Sequence, residues 1–594
     1  MKKALTIFLP IYVCLLLIVI LSSCSGSQDN ITDTTTEVLV TEKTYKTSGK
    51  YSENSNWRYD LSTSTLYLYG AGKSENYCWD NDQHSKSQWF HQAENLCIEE
   101  GITEVDEYTF FYCDKAITLT LPASYIGAVP KTEYIEKFII AENNPKYSSD
   151  EYGVLFNHDK SELIRFPKCN PIEIYEIPDG VTHICNGAFD GSKNLKTVTI
   201  PESLKNISSS IFEESSVYLN PENWEDDIFY VGDCLVDVNW ETKAEHIIVK
   251  EGTRRIEAHA FCRCENVKSI TIPDSVEVIG AQAFESCSSL EYIYIGSGVK
   301  EIGGAPFVFD VEGLPCINLK NIEVSKDNKN YISVDGVLFN KEMTELIQYP
   351  IGKKQKEYVI PDSVTTIKNG SFCYCDELIR LTVGKGLTAI DEPMVFGCDN
   401  IETVILPDTL TKLDGGAFKY SGIKYINIPD SVTYLGCEAI TACERLKTIN
   451  IGKGVSFIHE VAIRGSFLEK INVDPQNKHF SDIKGVLFNK DKTELLLYPA
   501  NRKGDEYRIP ASVKTIKLGA IMQANNLKKI YIGSGVEKIE EANFYESVED
   551  SELEYINETN YDIYYSGTEK QWNELFVSEY EREHIDKTKI NYLQ

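Results

Sequence analysis

The stretch ITIPDSVEVIGAQAFESCSSLEYI, residues 270–293, holds one complete copy of a unit that recurs along this 594-residue chain. A second clear copy is VTIPESLKNISSSIFEESS, residues 198–216. If the residue before the Pro or Gly of each copy is numbered 0, successive origins within clusters are 23 residues apart, with one step of 22 between Leu406 and Ile428. A fixed period of this length predicts a solenoid, in which each repeat buries its apolar face only against its neighbours.

The origins and the apolar positions around them predict the local structure of each unit. The origins are Ile98, Ile177, Ile200, Val249, Ile272, Ile295, Ile360, Val383, Leu406, Ile428, Ile451, Ile509 and Ile532. Apolar residues recur at −2, 0, +4, +7, +12 and +18, which in the copy at Ile360 are Tyr358, Ile360, Val364, Ile367, Phe372 and Leu378. Alternation at −2 and 0 predicts a short strand with one buried face, ended by the Pro or Gly at +1. The predicted fold is a β-rich solenoid with short parallel strands.

Position +12 is an aromatic row. It holds Phe110, Phe189, Phe212, Phe261, Phe284, Phe307, Phe372, Phe418 and Phe544. Rings stacked at one level of the coils are expected to form a buried aromatic column. Ile463 and Ile521 replace Phe in the copies at Ile451 and Ile509, and we expect the column to be weaker there.

Position +15 accounts for many of the seventeen cysteines. It holds Cys113, Cys264, Cys287, Cys375, Cys398 and Cys443, while other copies have Ser192, Ser215, Ser421, Ser466, Ala524 and Ser547. A position that accepts Cys, Ser and Ala favours a small buried side chain, so we expect mostly free thiols. Stacking at about 4.8 Å would still permit a disulfide between Cys264 and Cys287 or between Cys375 and Cys398. The Cys-x-Cys pairs at 262–264 and 373–375 lack two further ligands at plausible spacing, so no metal site or cofactor is predicted.

Three longer units interrupt the 23-residue period. Each contains Gly-Val-Leu-Phe-Asn, beginning at Gly153, Gly336 and Gly485, and each precedes its next origin by 24 residues. Two strand-like runs joined by a polar turn, such as GVLFN and ELLLYP around NKDKT, predict a β-hairpin inserted into an expanded coil. A more divergent fourth version is expected at Gly232.

The first residues resemble a bacterial export signal. Lys2 and Lys3 precede an apolar run from Thr6 to Leu21, and Leu21-Ser22-Ser23-Cys24 resembles a lipobox. We therefore expect lipidation of Cys24, the alternatives being a plain signal peptide or an N-terminal membrane anchor. The Ser-, Thr- and Asp-rich stretch that follows is typical of a disordered tether.

Charge and motifs exclude several classes of function. The formal net charge is −31, and it becomes −33 if Lys2 and Lys3 leave with the signal. Nucleic acid and anionic membrane surfaces require a basic face, so neither is an expected charge partner. The nine histidines are scattered, and the sequence has no HExxH, no GxSxG and no Gly-rich phosphate loop. We therefore predict that the protein is not an enzyme.

Together IPDSV, the Phe at +12, the Cys at +15 and the GVLFN units resemble the BspA-like leucine-rich repeat family of bacterial surface proteins. The resemblance covers about residues 96–560 and implies a binding role at the cell surface. It also implies a β-rich N-terminal cap at 49–95 and a C-terminal cap at 561–594 containing YYSGTEKQW, residues 564–572. The remaining predicted segments are a lipoprotein signal peptide at 1–23 and the tether at 24–48.

A partner is expected on the strand positions that point away from the core, −3 and −1. The candidate residues there are Tyr292, Tyr294, Arg380, Tyr425, Asn427, Asn450, Arg508 and Tyr531. The four tyrosines are the expected anchors, because Tyr offers a large contact area at low entropic cost; the alternative is that Thr and Tyr merely suit exposed strands. The predicted function is adhesin-like recognition of a protein or glycan by a lipid-anchored surface protein. A surface scaffold or a nutrient-capture component is the alternative.

Overall fold

A computed structural model describes residues 48–74, 89–201, 203–204, 209–212, 214–307, 315–541, 543, 561–577, 582 and 585–593. The predicted signal peptide, Cys24 and the tether up to residue 47 lie outside the described residues, as do Phe544 and Ser547 of the two predicted rows.

The described chain is a β-solenoid, as the period predicts. In the coil that begins at Ser269, Ile270 and Ile272 are buried and the residues between them face outward. A turn after Pro273 leads to a second short strand, Val278–Ile279, and a third side carries Phe284 and Cys287 before the chain returns to the first side. In the copy at Ile360 the predicted core residues are buried, except Tyr358 and Ile367, which are partly buried.

The first side of the coils forms a ladder of parallel strands, called the first ladder below. Neighbouring strands pair in register at the repeat spacing, for example Ile270 with Ile293. The strands are Asn95–Ile98, Thr118–Leu121, Lys137–Ile140, Ile174–Glu176, Thr197–Thr199, His246–Ile248, Ser269–Ile272, Tyr292–Ile295, Asn321–Val324, Glu357–Val359, Arg380–Thr382, Thr403–Ile405, Tyr425–Ile428, Thr448–Ile451, Lys470–Val473, Glu506–Arg508, Lys529–Gly533, Asp562–Ser566 and Ile590–Tyr592. Three of these, at residues 137–140, 321–324 and 470–473, belong to coils that the IPDSV pattern does not reveal.

The second side forms a parallel ladder of shorter strands. They are Gly72–Ser74, Ile102–Val105, His183–Ile184, Arg255–Ile256, Val278–Ile279, Glu301–Ile302, Thr366–Ile367, Ala389–Ile390, Lys412–Leu413, Tyr434–Leu435, Phe457–Ile458, Thr515–Ile516 and Lys538–Ile539. Helix is rare among the described residues: α-helices at Ser216–Leu219 and Glu569–Glu574, and 3-10 helices at Ser209–Phe212, Pro221–Asn223 and Lys587–Lys589.

Both described ends of the first ladder carry additional structure. At the N-terminal end, Ser48–Lys50, Ser55–Asp60 and Thr65–Gly70 form an antiparallel meander whose last strand pairs in parallel with Asn95–Ile98. At the C-terminal end, the helix Glu569–Glu574 begins at a capping box formed by Thr568 and Gln571. The helix carries the buried Trp572, whose ring centroid lies 5.3 Å from the ring centroid of Tyr565.

Hairpins interrupt the ladders where the GVLFN units predict them, and the fourth hairpin lies at Gly232. The hairpin strands are Tyr147–Ser149, Leu155–Asn157 and Glu162–Arg165; Trp224–Glu225, Ile228–Val231 and Cys234–Val238; Tyr331–Val334, Val337–Asn340 and Glu345–Gln348; Phe480–Ile483, Val486–Asn489 and Glu494–Leu497. Asp335 and Gly336 form a two-residue turn with positive φ at both residues, which explains the Gly that opens the motif. The third strand of each hairpin pairs with a short strand of the second ladder.

A buried Asn anchors three of the hairpin units to the preceding coil. Asn328 is fully buried; its amide donates to the carbonyls of Gly296 (2.9 Å) and Val299 (3.1 Å). Its Oδ1 accepts from the backbone N–H groups of Asn330 and Tyr331, both at 2.8 Å. Asn144 and Asn477 make equivalent bonds in their own units, so all three amides satisfy backbone groups that a strand ladder would otherwise pair.

The aromatic column exists in stretches and is not continuous. Phe261, Phe284 and Phe307 stack at centroid distances of 5.4 and 5.2 Å, and the backbone N–H of Phe284 donates to the carbonyl of Pro306 in the next coil. Phe166 and Tyr349, both from hairpin units, extend such stretches against Phe189 (5.5 Å) and Phe372 (5.2 Å). The expectation of one column is therefore corrected, because buried Val395, Ile440 and Ile463 occupy the +12 place in later coils.

The cysteines at +15 are free thiols that bond to neighbouring coils. No disulfide forms among the cysteines of the described residues, so neither candidate disulfide is present. The thiols of Cys287, Cys398 and Cys443 donate to the carbonyls of Phe261 (3.1 Å), Phe372 (2.8 Å) and Phe418 (3.0 Å) in the preceding coil. Cys316 joins the row by donating to the carbonyl of Phe284 at 3.0 Å. Ser recurs at this position because a hydroxyl can make the same bond.

Candidate recognition face

The first ladder exposes one side of every strand, because successive side chains alternate between the core and the outside. In Tyr292–Ile295 the two isoleucines are buried and the two tyrosines face outward. The side chains at −3 and −1 on all strands of the first ladder are called the outward face. It contains every candidate binding residue except Cys24, but it is divided among several sheets where hairpin units interrupt the ladder.

Tyr292 and Tyr294 lie on a sheet of four strands. Row −3 runs through His246, Ser269, Tyr292 and Asn321, and row −1 runs through Ile248, Thr271, Tyr294 and Glu323. The hydroxyl of Tyr292 donates to Oε2 of Glu323 at 2.7 Å. Burial and this hydrogen bond raise the pKa of Tyr292 to about 12. The phenol therefore stays protonated at neutral pH, held in place by the carboxylate of the next coil.

Arg380, Tyr425, Asn427 and Asn450 share a sheet of six strands. The amide of Asn450 donates to Oδ1 of Asn427 at 2.5 Å, and the amide of Asn472 donates to Oδ1 of Asn450 at 2.6 Å. The three asparagines thus form an amide ladder along row −1. Tyr425 is 44 % exposed and Arg380 is exposed, both in row −3.

Arg508 and Tyr531 lie on the last sheet, where they form a stack with a third residue. The guanidinium carbon of Arg508 lies 3.5 Å from the ring centroid of Tyr531, a cation–π contact. The ring of Tyr531 stacks on Tyr564 with centroids 4.9 Å apart. In the neighbouring row, Lys529 pairs with Glu506 at 3.1 Å. This stack is the densest polar and aromatic cluster among the candidate residues.

The structure brings the candidates together in three groups and keeps the groups on separate sheets. Tyr292 and Tyr294 form the first group, Arg380, Tyr425, Asn427 and Asn450 the second, and Arg508 and Tyr531 the third. Sequence reasoning missed Glu323, Asn472 and Tyr564 as their direct neighbours. The signal for Tyr564 was present, because Asp562-Ile-Tyr-Tyr565 has the same alternation as the other strands.

The outward face also exposes aliphatic side chains. Ile248 is 75 % exposed, Val359 is 63 % exposed and Ile405 is 42 % exposed, each at position −1. Single exposed aliphatic residues are ordinary on protein surfaces. Beside the tyrosine and asparagine rows, however, they provide the mixed apolar and hydrogen-bonding character that is common in protein interfaces.

Neither a metal cluster nor a spanning helix occurs in the part of the chain that the structure describes. No group of three or more His, Cys, Asp or Glu side chains there could hold a metal ion. Cys262 is partly buried beside the buried Cys264, and burial raises the pKa of the Cys262 thiol to about 11. No helix in the described ranges is long and apolar enough to cross a membrane.

Solved structures of bacterial leucine-rich repeat proteins resemble this chain at low identity. A leucine rich cell surface protein from Faecalibacterium prausnitzii is 16% identical, with 89% of this chain and 97% of that chain covered and a TM-score of 0.30. The pneumococcal vaccine antigen PcpA is 17% identical, with 92% and 98% covered and a TM-score of 0.31. A leucine-rich repeat protein from Eubacterium ventriosum is 17% identical, with 84% and 87% covered and a TM-score of 0.26.

The family comparison covers most of the repeats. No curated protein matches the chain. The model of the BspA type leucine rich repeat region matches in six copies, over residues 164–233, 239–351, 351–470 and 500–566. These ranges make up more than half of the chain and include most strands of both ladders, the hairpin at Tyr331–Gln348 and the strand that carries Tyr564. The chain therefore belongs to the BspA type leucine-rich repeat family.

Proposed function

We propose that this protein is an adhesin-like recognition module at a bacterial cell surface, anchored by a lipid on Cys24, and that its outward face binds a protein partner. The observation that carries the proposal is the outward face itself. Across neighbouring coils its asparagines form hydrogen bonds to one another, and Arg508 stacks on Tyr531; these side chains lie outside the core that holds the coils together.

The composition of the face supports a protein as the partner. Tyr and Arg are the residues that most often contribute large shares of binding energy at protein interfaces. Stacking of Arg508 on Tyr531 and of Tyr531 on Tyr564 restricts these side chains before a partner arrives. Pre-ordered side chains lose less conformational entropy on binding, so the same contacts give a higher affinity. The acidic net charge disfavours nucleic acid as the partner.

A binding experiment tests the face directly. Purified residues 25–594 are applied to immobilised collagen, laminin and fibronectin, and in parallel to a glycan array. The double variant Tyr292→Ser and Tyr294→Ser is expected to weaken capture by a matrix protein without shifting the melting temperature. The control Trp240→Ser removes an aromatic residue that is 62 % exposed but lies outside the outward face, and it should bind as wild type does. Capture on the glycan array alone would contradict recognition of a protein.

The lipid anchor has a separate test. In Cys24→Ala the acceptor thiol is missing, so the precursor should remain unlipidated and lose its retention in the membrane fraction. Intact mass and fractionation of the cells report the two effects. A variant with the mass and distribution of wild type would refute lipidation at Cys24 and leave the recognition proposal standing.

Glycan capture is a second candidate function, because one observation favours it. A cavity with an exposed aromatic ring and several hydrogen-bonding groups lies at the corner between the third side of the coils and the first ladder, and no residue of the outward face lines it.

A further inference from the structure

The step of 22 residues between the origins Leu406 and Ile428 lies at a cavity. In the coils before and after it, two residues separate position +15 from the buried residue that follows: Asp399-Asn400 before Ile401, and Glu444-Arg445 before Leu446. In the coil between them, only Gly422 separates Ser421 from Ile423. Ile401, Ile423 and Leu446 are all fully buried and occupy equivalent places in their coils. The coil at Leu406 is therefore one residue shorter in the exposed corner that precedes Ile423. The shortened corner forms a notch of about 530 Å³.

The floor of the notch requires glycine. The backbone N–H of Gly422 donates to the carbonyl of Cys398 at 2.9 Å, which draws the short corner against the preceding coil. A Cβ atom on Gly422 would lie 1.9 Å from the carbonyl oxygen of Asp399, so no side chain fits there without movement of the backbone. Arg445 spans the notch, with Nη1 donating to the same Asp399 oxygen at 2.7 Å.

The walls combine an aromatic ring with donors and acceptors. Tyr420 is 43 % exposed, and its ring continues a surface column with Phe396 (5.3 Å) and Tyr374 (5.8 Å from Phe396) in edge-to-face contacts. Lys419, paired with Glu438 at 2.8 Å, places its ammonium nitrogen 5.4 Å from the centroid of Tyr420. The carboxylates of Asp399 and Glu444 accept hydrogen bonds, Arg445 donates, and Asn400 can do both.

We propose that this notch is a binding site for a neutral saccharide of one or two residues. A sugar ring has an apolar C–H face, which can stack on the ring of Tyr420. Its hydroxyl groups both donate and accept hydrogen bonds, so they can pair with the donors and acceptors of the walls. The volume lies in the range of small-molecule sites, which is roughly 300–1,000 Å³. A basic side chain of a partner protein fits less well, because the guanidinium of Arg445 lies in the same cavity. None of the lining residues belongs to the outward face, so the site does not depend on protein recognition by that face; it rests on the second candidate function, glycan capture.

Saturation-transfer NMR on the full-length protein tests the site. The protein is kept in a detergent without a sugar head group, and the probes are cellobiose, maltose, lactose and N,N′-diacetylchitobiose. At least one probe is expected to show transfer to its ring C–H protons, and Tyr420→Ala should weaken its affinity about tenfold through loss of the stacking contact. Tyr425→Ala is the matched control, since Tyr425 is 44 % exposed on the outward face, and its affinity for the same probe should stay as in wild type.

A second variant addresses the shape of the notch. Insertion of one Asn after Gly422 restores the 23-residue spacing and fills the corner. It should abolish saccharide binding while the melting temperature stays within a few degrees of wild type, because neighbouring coils carry two residues at this corner. Binding that survives both this insertion and Tyr420→Ala would overturn the proposal.

The remaining outcomes are also decisive. Absence of transfer to all four probes overturns the proposal, and so does transfer from N-acetyl-arginine amide without transfer to any saccharide, which would indicate a pocket for a basic side chain. Cleavage of a probe would also contradict the proposal, because the proposed site binds a saccharide without changing it chemically. Matrix-protein capture measured on the same variants separates the two proposals, because Tyr420→Ala should leave that capture unchanged whether or not a saccharide binds.

Discussion

Individual residues at position +15 hold neighbouring coils together through hydrogen bonds. Cys398 donates to the carbonyl of Phe372 at 2.8 Å and accepts from the N–H of Cys375 at 3.3 Å, so one thiol bonds two backbone groups of the preceding coil. In the coil at Ile451 a Ser takes this role: Ser466 Oγ accepts from the N–H of Cys443 in the preceding coil at 3.1 Å. The side chains at +15 are small because the position is buried. Cys and Ser recur there because they can pair with a backbone N–H and a backbone carbonyl of the preceding coil.

Substitutions of Cys398 should separate size from hydrogen bonding. Cys398→Ser keeps both bonds and should change stability little. Cys398→Val has a similar volume but removes both bonds, and it should lower the opening free energy of the coils at 360–405 by about 1–3 kcal/mol. Hydrogen exchange of backbone amides in these coils measures the difference. Equal losses in the two variants would show that packing alone matters at this position.

Burial of Cys443 predicts a decline of stability in alkaline solution. Burial raises the pKa of this thiol from its ordinary value of 9.0 to about 11. The unfolded thiol ionises near pH 9 while the folded thiol stays protonated, so the stabilisation is complete below pH 9 and is lost as the pH rises towards 11. Between pH 9 and pH 11 this thiol should lower the free energy of unfolding by roughly 3 kcal/mol, the equivalent of a change of two in pKa. Melting temperatures at pH 8, 9, 10 and 11 should fall less steeply for Cys443→Ser than for wild type.

The control for this titration is Cys437, six residues earlier. Cys437 is exposed, so Cys437→Ser should leave the pH dependence of the melting temperature as in wild type. A flattened curve in Cys437→Ser, or an unchanged curve in Cys443→Ser, would contradict the assignment of the effect to the buried thiol.

At the scale of elements, the hairpin units divide the first ladder into separate sheets and are attached by a repeated buried Asn. The GVLFN motif accounts for the turn, since Oδ1 of its Asn, as in Asn340, accepts from Thr344 and Glu345 N–H groups at 2.9 and 2.8 Å. The Asn that precedes the hairpin fixes the unit to the coil before it. Three of the hairpin units carry both Asn residues, so they are one structural element used three times.

Asn328→Ala should destabilise its hairpin unit locally. The substitution leaves the carbonyls of Gly296 and Val299 and two backbone N–H groups without the bonds that the amide supplies. The free energy of opening of this hairpin unit and the coil before it should fall by at least ~2 kcal/mol, because unpaired buried polar groups are costly. Hydrogen exchange reports the change. The exposed neighbour Asn330 is the control: it donates one bond, to the Val299 carbonyl at 3.2 Å, so Asn330→Ala should cost only about 1 kcal/mol. An equal cost in both variants would contradict the anchoring role.

At the scale of the whole molecule, stability is a sum over coils and the contacts between neighbours. The ends therefore decide how far fraying proceeds: the antiparallel meander at Ser48–Gly70 adjoins the first strand of the ladder, and the helix at Glu569–Glu574 lies in the chain between its last two strands. Trp572 is the largest fully buried side chain and lies against Tyr565 of the adjacent strand.

Loss of Trp572 should fray the C-terminal coils and leave the central ones intact. Removal of this side chain from a packed site costs about 3–5 kcal/mol, and nearest-neighbour coupling confines the loss to the adjoining repeats. In Trp572→Ala, hydrogen exchange should accelerate in residues 506–566 and stay unchanged in residues 269–324. Trp240→Ala, at an exposed position, should change neither region. Uniform acceleration along the chain would contradict a cover that acts only locally.

Most of the repeat could be predicted because the coil places chemically equivalent residues at a fixed spacing. The strand at −2 and 0, the hairpins and the free thiols follow from which residue types recur at each position. The coils at 137–140, 321–324 and 470–473 were not predicted, because their strands lack the IPDSV turn and are followed by a hairpin instead of a short strand of the second ladder. The aromatic column was expected to weaken only at Ile463 and Ile521, but it is also interrupted at Val395 and Ile440, because buried aliphatic residues fill the same place.

The sequence by itself determined the solenoid, the orientation of each strand and the set of side chains that face outward, since these depend only on residues within one coil and its period. Only the tertiary structure decided which outward residues meet. Contacts such as Arg508 on Tyr531 and Tyr564, and the separation of Tyr292 from Asn427, depend on where hairpins interrupt the ladder. The notch at Gly422 likewise arises between coils, because a missing residue becomes a cavity only when the neighbours above and below keep theirs.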